Sequence, residues 1–236
     1  MKVPQIPSMC MCMGGILGKA AWASVRLNLC LVVLPRPTVT TLQAEIAAVA
    51  ATLIVEEGLE YGPAKRRAVK QLALSGRAEL PDNDQIEDAV KEYITVFCGD
   101  TQPAELAALR ELALVWMERM VDFRPYLAGA VWHGTATRLS DIYIQLFCDD
   151  PKSAEIRLIE HNVDYEPRTV TGFTGTPVEA LSLSSLCQAL GETVGVHYMV
   201  YDHNDLRGAL RPDAKGRKPR GDLSAVRELV LIEPGD

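Results

Sequence analysis

One short segment, residues 127–150, constrains the fold of this 236-residue chain more than any other. It contains Gly129 and Gly134, which bracket a tight bend, and the pair Ser140-Asp141, which opens an apolar segment. Glycine accepts the positive φ angles and close backbone approaches that other residues resist. Backbone amides in such a bend can point at an anion. The segment therefore predicts a glycine-lined turn that leads into a strand and can face a ligand.

The residues after the bend have the period of a half-buried β-strand. Apolar and polar residues alternate from 141 to 147, and the apolar set is Ile142, Ile144 and Leu146. Since alternate side chains of a strand share one face, Asp141 and Tyr143 project together from the more polar face. The pattern predicts that the strand carries an acidic group into the sheet beside the glycine bend.

The two glycines and the Ser-Asp pair stand at the spacing of a known signature, and the segment resembles the nucleotidyltransferase-like superfamily of the minimal, polymerase-beta type. The resemblance implies a divergent bacterial member with a nucleotidyltransferase-like core. In that family a serine after the first glycine contacts the phosphates of a nucleoside triphosphate. Two strand aspartates and a third carboxylate from a later strand hold divalent metal. The alternative is an unrelated α/β sheet in which Ser140-Asp141 only caps a turn.

The resemblance is incomplete at two chemically important positions. Ala130 stands where the family has its phosphate-binding serine, and Tyr143 stands where it has the second metal carboxylate. A methyl group cannot donate to phosphate, and a phenol replaces a carboxylate poorly as a ligand of Mg²⁺. His133, inside the bend, is a candidate phosphate donor in place of the serine. The other interpretation is that His133 is an exposed turn residue and Trp132 a packing anchor.

What the resemblance implies for the site can be assigned residue by residue. Asp141 is the expected catalytic residue, Mg²⁺ the cofactor and a nucleoside triphosphate the substrate. The expected cofactor-binding residues are Gly129, Gly134, Ser140 and His133. A third carboxylate must come from downstream, so the expected metal ligands are Asp141, Asp164 and Asp202. Each downstream aspartate also suits a surface or capping role.

The charge pattern limits the partners. A net charge of −7 argues against a dedicated duplex-DNA-binding protein, which needs a basic surface. A local exception is the segment 207–220, whose cations are Arg207, Arg211, Lys215, Arg217, Lys218 and Arg220. It could steer a polyanion or fold over a triphosphate, or it could be a solvated loop. Nucleic acid is therefore a disfavoured partner, and a protein partner stays open.

The rest of the chain predicts an α+β fold. Residues 40–125 have four apolar stripes at helical spacing, which predict an N-terminal helical bundle. In residues 126–236, strands and helices alternate, which is typical of a mixed sheet flanked by helices. There we predict a helix over 184–190, a buried strand over 194–201 and a C-terminal helix over 222–232. The segment 126–236 would be the nucleotidyltransferase-like core.

Residues 1–39 differ from the rest, with clustered Met and Cys residues and no amphipathic period. We expect a non-native or disordered extension upstream of a start at Val39. Its apolar run over 20–34 is interrupted by Arg26, so it is too short to span a bilayer, and a secretory leader lacks a clear cleavage site. The sequence from Gly14 to Lys19 resembles a phosphate loop but lacks the Ser or Thr that contacts magnesium.

The cysteines predict a compartment but no metal site. Cys10 and Cys12 form the one close pair, and no second pair stands at zinc spacing. Free thiols in a reducing, bacterial-type cytoplasm are the expectation.

Three functions follow, in order. The first is nucleotidyl transfer from a nucleoside triphosphate with divalent metal. The second is a catalytically inactive nucleotide- or protein-binding module, by analogy with minimal nucleotidyltransferase-like proteins that pair with small helical toxins. The third, a UDP-N-acetylmuramate–alanine ligase, ranks far behind because the chain is too short for that multidomain enzyme and has no complete ATP loop.

Overall fold

The computed structural model describes residues 39–74, 78–213 and 215–232. The predictions for the N-terminal extension, its apolar run, the phosphate-loop-like sequence and the cysteines at 10, 12 and 30 lie outside these residues. Four helices come first in the described chain. They are α1 (Val39–Glu57), α2 (Tyr61–Gln71), α3 (Asn83–Phe97) and α4 (Gln102–Arg119).

Helices α1, α2 and α3 share an apolar core. Ile46, Ala50, Ile86 and Val90 are all fully buried there. Burying a side chain of Ile or Val size contributes roughly 1.5–3 kcal/mol, so this cluster is sufficient to hold the three short helices together. Asp82 starts α3 with a complete capping box, in which its carboxylate accepts from the Gln85 amide nitrogen at 2.7 Å.

A six-stranded sheet follows the helices. Its strands are β1 (Tyr126–Ala128), β2 (Ile142–Cys148), β3 (Glu166–Thr171), β4 (Pro177–Cys187), β5 (Glu192–Asp202) and β6 (Arg220–Asp222). The strand order is β3-β4-β5-β2-β1-β6. Only β2 and β5 pair in parallel, and the other neighbours are antiparallel. The fold is thus a mixed α+β fold, as predicted.

Four more helices connect or follow the strands. They are α5 (Gly129–His133), α6 (Pro151–Glu160), α7 (Leu206–Ala209) and α8 (Leu223–Ile232). The apolar face of β2, with Ile142, Ile144 and Leu146 fully buried, belongs to the same core as Leu109 and Met117 of α4. Among the described helices, none combines the length and apolarity that crossing a bilayer requires.

The opposite face of β2 positions the candidate site. Tyr143 pairs with Ala128 of β1 on one side and with His197 of β5 on the other. Asp141 precedes β2 and lies on the same face, as the alternating pattern predicted.

The predicted helix over 184–190 is wrong. Strand β4 continues to Cys187, and its last residues pair with the first residues of β5, from Ser185–Val194 to Cys187–Glu192. Along β4, Leu181, Leu183 and Cys187 are buried. The true period is therefore two, and the long hairpin with β5 decides the local structure. The short strand β6, which begins at the last residue of the basic segment, was also missed.

Candidate functional site

A cavity of about 450 Å³ opens between the sheet and the helices. Its wall comes from the end of α1, the α1–α2 loop, the start of α3, helix α5 and the start of β2, together with Asp213, Arg217 and Pro219. Four of the predicted site residues line it: Gly129, His133, Ser140 and Asp141. Gly134 ends α5 but does not line the cavity.

The glycine bend is built by positive φ angles at both ends of α5. Gly129 (φ 72°) follows β1, and Gly134 (φ 80°) ends the helix. An L side chain rarely adopts these angles, so both positions require glycine. The Gln102 side chain of α4 donates to the carbonyl oxygens of Gly134 at 3.2 Å and Ala136 at 2.8 Å, which fixes the end of the bend.

Ser140 closes the turn that leads into β2. Its hydroxyl oxygen accepts from the Thr137 amide nitrogen at 3.0 Å, and its own amide donates to the Thr137 carbonyl at 2.8 Å. This is the turn-capping role that the sequence left open beside a cofactor-binding role.

Asp141 is held by two donors from β5. Its Oδ1 accepts from the Gly195 amide at 3.1 Å, and its Oδ2 lies 3.2 Å from His197 Nε2. The hydrogen bond from His197 lowers the pKa of Asp141 below its usual value, against burial, which raises it. Because an ionised carboxylate only accepts, Nε2 of His197 carries the proton.

His197 itself is fixed on two further sides. Its Nδ1 lies 2.9 Å from the Ser182 hydroxyl, and its ring stacks on Tyr143 with centroids 4.9 Å apart. A series of hydrogen bonds thus runs from Ser182 through His197 to Asp141. His197 therefore positions the Asp141 carboxylate from β5.

Tyr143 does not replace the carboxylate whose position it occupies. Its phenol donates to Glu60 Oε1 at 2.7 Å. Burial is the main cause that raises the pKa of Tyr143 well above its usual value, and the hydrogen bond to Glu60 and the charge of Glu60 raise it further. The phenol therefore stays neutral. Glu60 comes from the α1–α2 loop, and nothing in its local sequence marks it as part of a site.

Asp202 does not join Asp141. Because β2 and β5 are parallel and Asp202 pairs with Cys148, the two carboxylates lie at opposite edges of the sheet. At about 3.3 Å per residue, their separation along the strands is roughly 20 Å. Asp202 instead accepts from the Asn204 amide at 2.8 Å, which is a capping contact.

Asp164 also lies elsewhere. It lines a separate cavity with Ile159 and Asn162, just before the edge strand β3, which is separated from β2 by two strands. In the described part of the chain, no three His, Cys, Asp or Glu side chains form a group that could hold a metal ion. With Tyr143 committed to Glu60, the residues present do not fit the Mg²⁺ that the resemblance implies.

A second charged group lies across the cavity and centres on Arg217. Its guanidinium donates to Asp213 at 2.7 Å from Nε, to Glu87 at 2.7 Å from Nη1 and to Asp84 at 3.2 Å from Nη2. Burial raises the pKa of Glu87, but its hydrogen bond with Lys91 and its positive neighbours more than offset this, so the pKa is lowered.

His133 lies beside this group, with Nδ1 3.7 Å from Glu87. Burial lowers the pKa of His133 below its usual value despite the nearby carboxylate, which favours the neutral imidazole at pH 7. Its neighbour Trp132 donates from Nε1 to the Lys218 carbonyl at 2.8 Å and packs on Gly221, so Trp132 anchors the 207–220 segment to α5.

Three cations of the segment 207–220 make contacts within the fold. Arg217 binds the carboxylates described above, and Lys215 donates to Asp88 at 2.7 Å. Arg220 is buried, donates to the Gln145 side chain and lies under the Phe173 ring. These three side chains anchor the segment to α3 and the sheet.

Comparison with known proteins does not assign this chain to a family. No family model matches the chain, and no significant match was found among curated proteins or among solved structures.

Proposed function

We propose that this protein binds a small organic molecule in the Asp141 cavity and does not perform metal-dependent nucleotidyl transfer. The observation that carries the proposal is the convergence of distant segments on one concave site of about 450 Å³. Small-molecule sites are clefts of this size, with mostly apolar walls and a few placed polar groups.

The residues around the cavity have separate tasks in binding. Ile54, Leu59, Ala130 and Pro219 supply apolar wall. Asp141 supplies a fixed acceptor, because Gly195 and His197 hold its two oxygens while about half of the side chain stays exposed. Gly129 keeps the backbone close to the Tyr143 ring without a side chain in between.

Transfer chemistry is disfavoured by the same contacts. The family's reaction requires several carboxylates around divalent metal, and here Asp141 faces a histidine, a glycine amide and a tyrosine. Glu60, a carboxylate on the same wall, accepts from that tyrosine.

The test uses the full-length protein and a fragment library observed by ligand-detected NMR. Ala130→Phe would fill the cavity, and Ala104→Phe, on an exposed helical position, is the matched control. We expect aromatic fragments to bind the wild type and the control but not Ala130→Phe, with circular dichroism verifying the fold of each variant. Absence of any fragment sensitive to Ala130→Phe would refute the proposal.

A second assay addresses transfer directly. The wild type is incubated with labelled ATP, magnesium and candidate acceptors beside Asp141→Asn. We expect no label transfer that depends on Asp141. Label transfer by the wild type that is lost in Asp141→Asn would support nucleotidyl transfer as the function. It would overturn the proposal that the protein does not perform this reaction.

A further inference from the structure

We infer that the ligand of the Asp141 cavity is an organic cation with an apolar body, such as an aryl-alkyl amine, and not a nucleoside triphosphate. This inference rests on the ligand-binding function proposed above. The cavity supplies the site, and the charges on its wall select the class of ligand.

The wall carries far more negative than positive charge. Its cation is one guanidinium, Arg217, and its carboxylates are Glu60, Asp84, Glu87, Asp141 and Asp213. His133 does not change this balance, since burial lowers its pKa and favours the neutral form. A ligand with several negative charges would therefore enter a repulsive field.

Arg217 does not present its charge to the cavity as a phosphate-binding arginine would. Nε, Nη1 and Nη2 each donate to a different carboxylate, at 2.7, 2.7 and 3.2 Å. Binding a phosphate would require breaking this group and leaving Glu87, which is 6 % exposed, with less compensation.

Two carboxylates near β2 accept from neutral donors, and Asp141 also accepts from His197. The Tyr143 phenol donates to Glu60, and the Gly195 amide donates to Asp141. Neutral donors fix the direction of a carboxylate without cancelling its charge. Both carboxylates line the cavity together with Tyr143. They form a point of attraction for one ammonium group.

The remaining wall requires an apolar body on that cation. Ile54, Leu59, Tyr61, Ala130 and Pro219 surround the charged positions. A bare, strongly hydrated cation would lose water against these groups without contacting them. An amine with an aromatic body satisfies both parts of the wall.

The experiment compares three probes with one shape and three charges. Tryptamine is cationic at pH 7, tryptophol is neutral and indole-3-propionate is anionic. Isothermal titration calorimetry at low salt should give a Kd for tryptamine roughly tenfold below that of tryptophol, since a hydrogen bond to a charged group contributes more than a neutral one. Indole-3-propionate and ATP should bind more weakly still.

Substitutions of single carboxylates test which residues cause the preference for the cationic probe. Glu60→Gln and Asp141→Asn should each reduce tryptamine binding several-fold and reduce tryptophol binding less, so that the preference for tryptamine narrows. Glu45→Gln, an exposed carboxylate on α1 away from the cavity, should leave both unchanged. Thermal unfolding verifies that each variant folds, and the two cavity variants remove different charges, so one suffices if the other misfolds.

The two proposals fail in different ways. Absence of a tryptamine preference, whether all three probes bind or none does, overturns the cationic ligand. Tighter binding of ATP than of tryptamine does the same. The ligand-binding function falls only if no fragment is sensitive to Ala130→Phe.

Discussion

The phenolic hydroxyl of Tyr143 donates to the Glu60 carboxylate at 2.7 Å, across 83 residues of sequence. The contact joins β2 to the α1–α2 loop at the position where the resembled signature has a metal carboxylate. The phenol is therefore a donor that ties the helices to the sheet.

This contact should be measurable as a coupling energy. Tyr143→Phe removes the donor, and Glu60→Gln removes the charge of the acceptor. We expect Tyr143→Phe to lower the free energy of unfolding by about 1 kcal/mol, the usual net contribution of a hydrogen bond. In a double-mutant cycle by urea unfolding, the two changes should couple by roughly 0.5–1.5 kcal/mol. Strict additivity of the two changes would contradict the contact.

The Tyr93–Glu56 hydrogen bond, at 2.5 Å, offers a control because it joins the same pair of residue types between α3 and α1, away from the cavity. Tyr93→Phe should not couple to Glu60→Gln. Coupling as strong as that of Tyr143→Phe would show that the cycle reports general stability and not the Tyr143–Glu60 contact.

The parts of the site that could be predicted from the sequence are local. The positive φ angles of Gly129 and Gly134 and the shared face of Asp141 and Tyr143 follow from glycine chemistry and from a period of two. Glu60 could not be predicted, because its position depends on how the α1–α2 loop docks on the sheet. Packing between segments that are far apart in the sequence does not show in the spacing of residues within either segment.

A second prediction concerns the ionisation of Asp141. The hydrogen bond from His197 lowers its pKa, so this bond stabilises the fold above the unfolded-state pKa of about 3.9 and the effect is lost as pH falls through the lower folded-state pKa. Carbon-detected NMR of the Asp141 carboxyl should give a midpoint below the usual value. His197→Phe should move that midpoint upward. A midpoint that His197→Phe leaves unchanged would show that His197 is not the cause.

A substitution at Gly195 tests the position of the Asp141 carboxylate without removing its charge. An added Cβ at this position would lie 2.6 Å from Asp141 Oδ1, so Gly195→Ala must displace the carboxylate. We expect a loss of about 2 kcal/mol in unfolding free energy, as for other overpacked positions, together with weaker ligand binding. Gly208→Ala is the control, since an added Cβ there meets nothing within 4 Å. Equal stability of the two variants would refute the close approach at Gly195.

The structure does not bring Asp141, Asp164 and Asp202 together, and the reason is topological. Asp164 was proposed for the strand face on which it was expected and Asp202 for its place at the end of a strand. The local sequence pattern does predict such positions along a strand. Strands β2 and β5 turned out to be parallel, so a residue before the start of β2 and a residue at the end of β5 lie at opposite edges. Strand direction depends on the crossover connection between them, and spacing alone does not specify it.

The Trp132 ring leaves no room for a side chain at position 221. A Cβ on Gly221 would lie within the Trp132 ring, whose Nε1 donates to the Lys218 carbonyl. Gly221→Ala should expel the indole, break that bond and destabilise the protein by roughly 2–3 kcal/mol. Thermal unfolding and a red shift of tryptophan emission would report both effects. An unshifted emission maximum and an unchanged Tm would place Trp132 elsewhere.

Arg217→Gln tests the charged group on the other side of the cavity. The change leaves Asp84, Glu87 and Asp213 to repel one another, with Glu87 buried, so the variant should be less stable than the wild type at pH 7. Salt screens both the lost attraction and the new repulsion, so the difference in unfolding free energy should shrink in 1 M NaCl.

The pH dependence of Arg217→Gln has a definite sign. The hydrogen bond with Lys91 is the main cause that lowers the pKa of Glu87, and Arg217 adds to it, so the share of stability that Arg217 supplies is present above the unfolded-state pKa and lost as pH falls through the folded-state pKa. The difference between wild type and variant should therefore be full at pH 7 and decline in acid below the usual range of a glutamate. Lys215→Gln removes an exposed ion pair with Asp88 and should show little of either dependence. If Lys215→Gln and Arg217→Gln responded alike to salt and pH, the three-carboxylate group would have no special role in holding the 213–219 segment over the cavity.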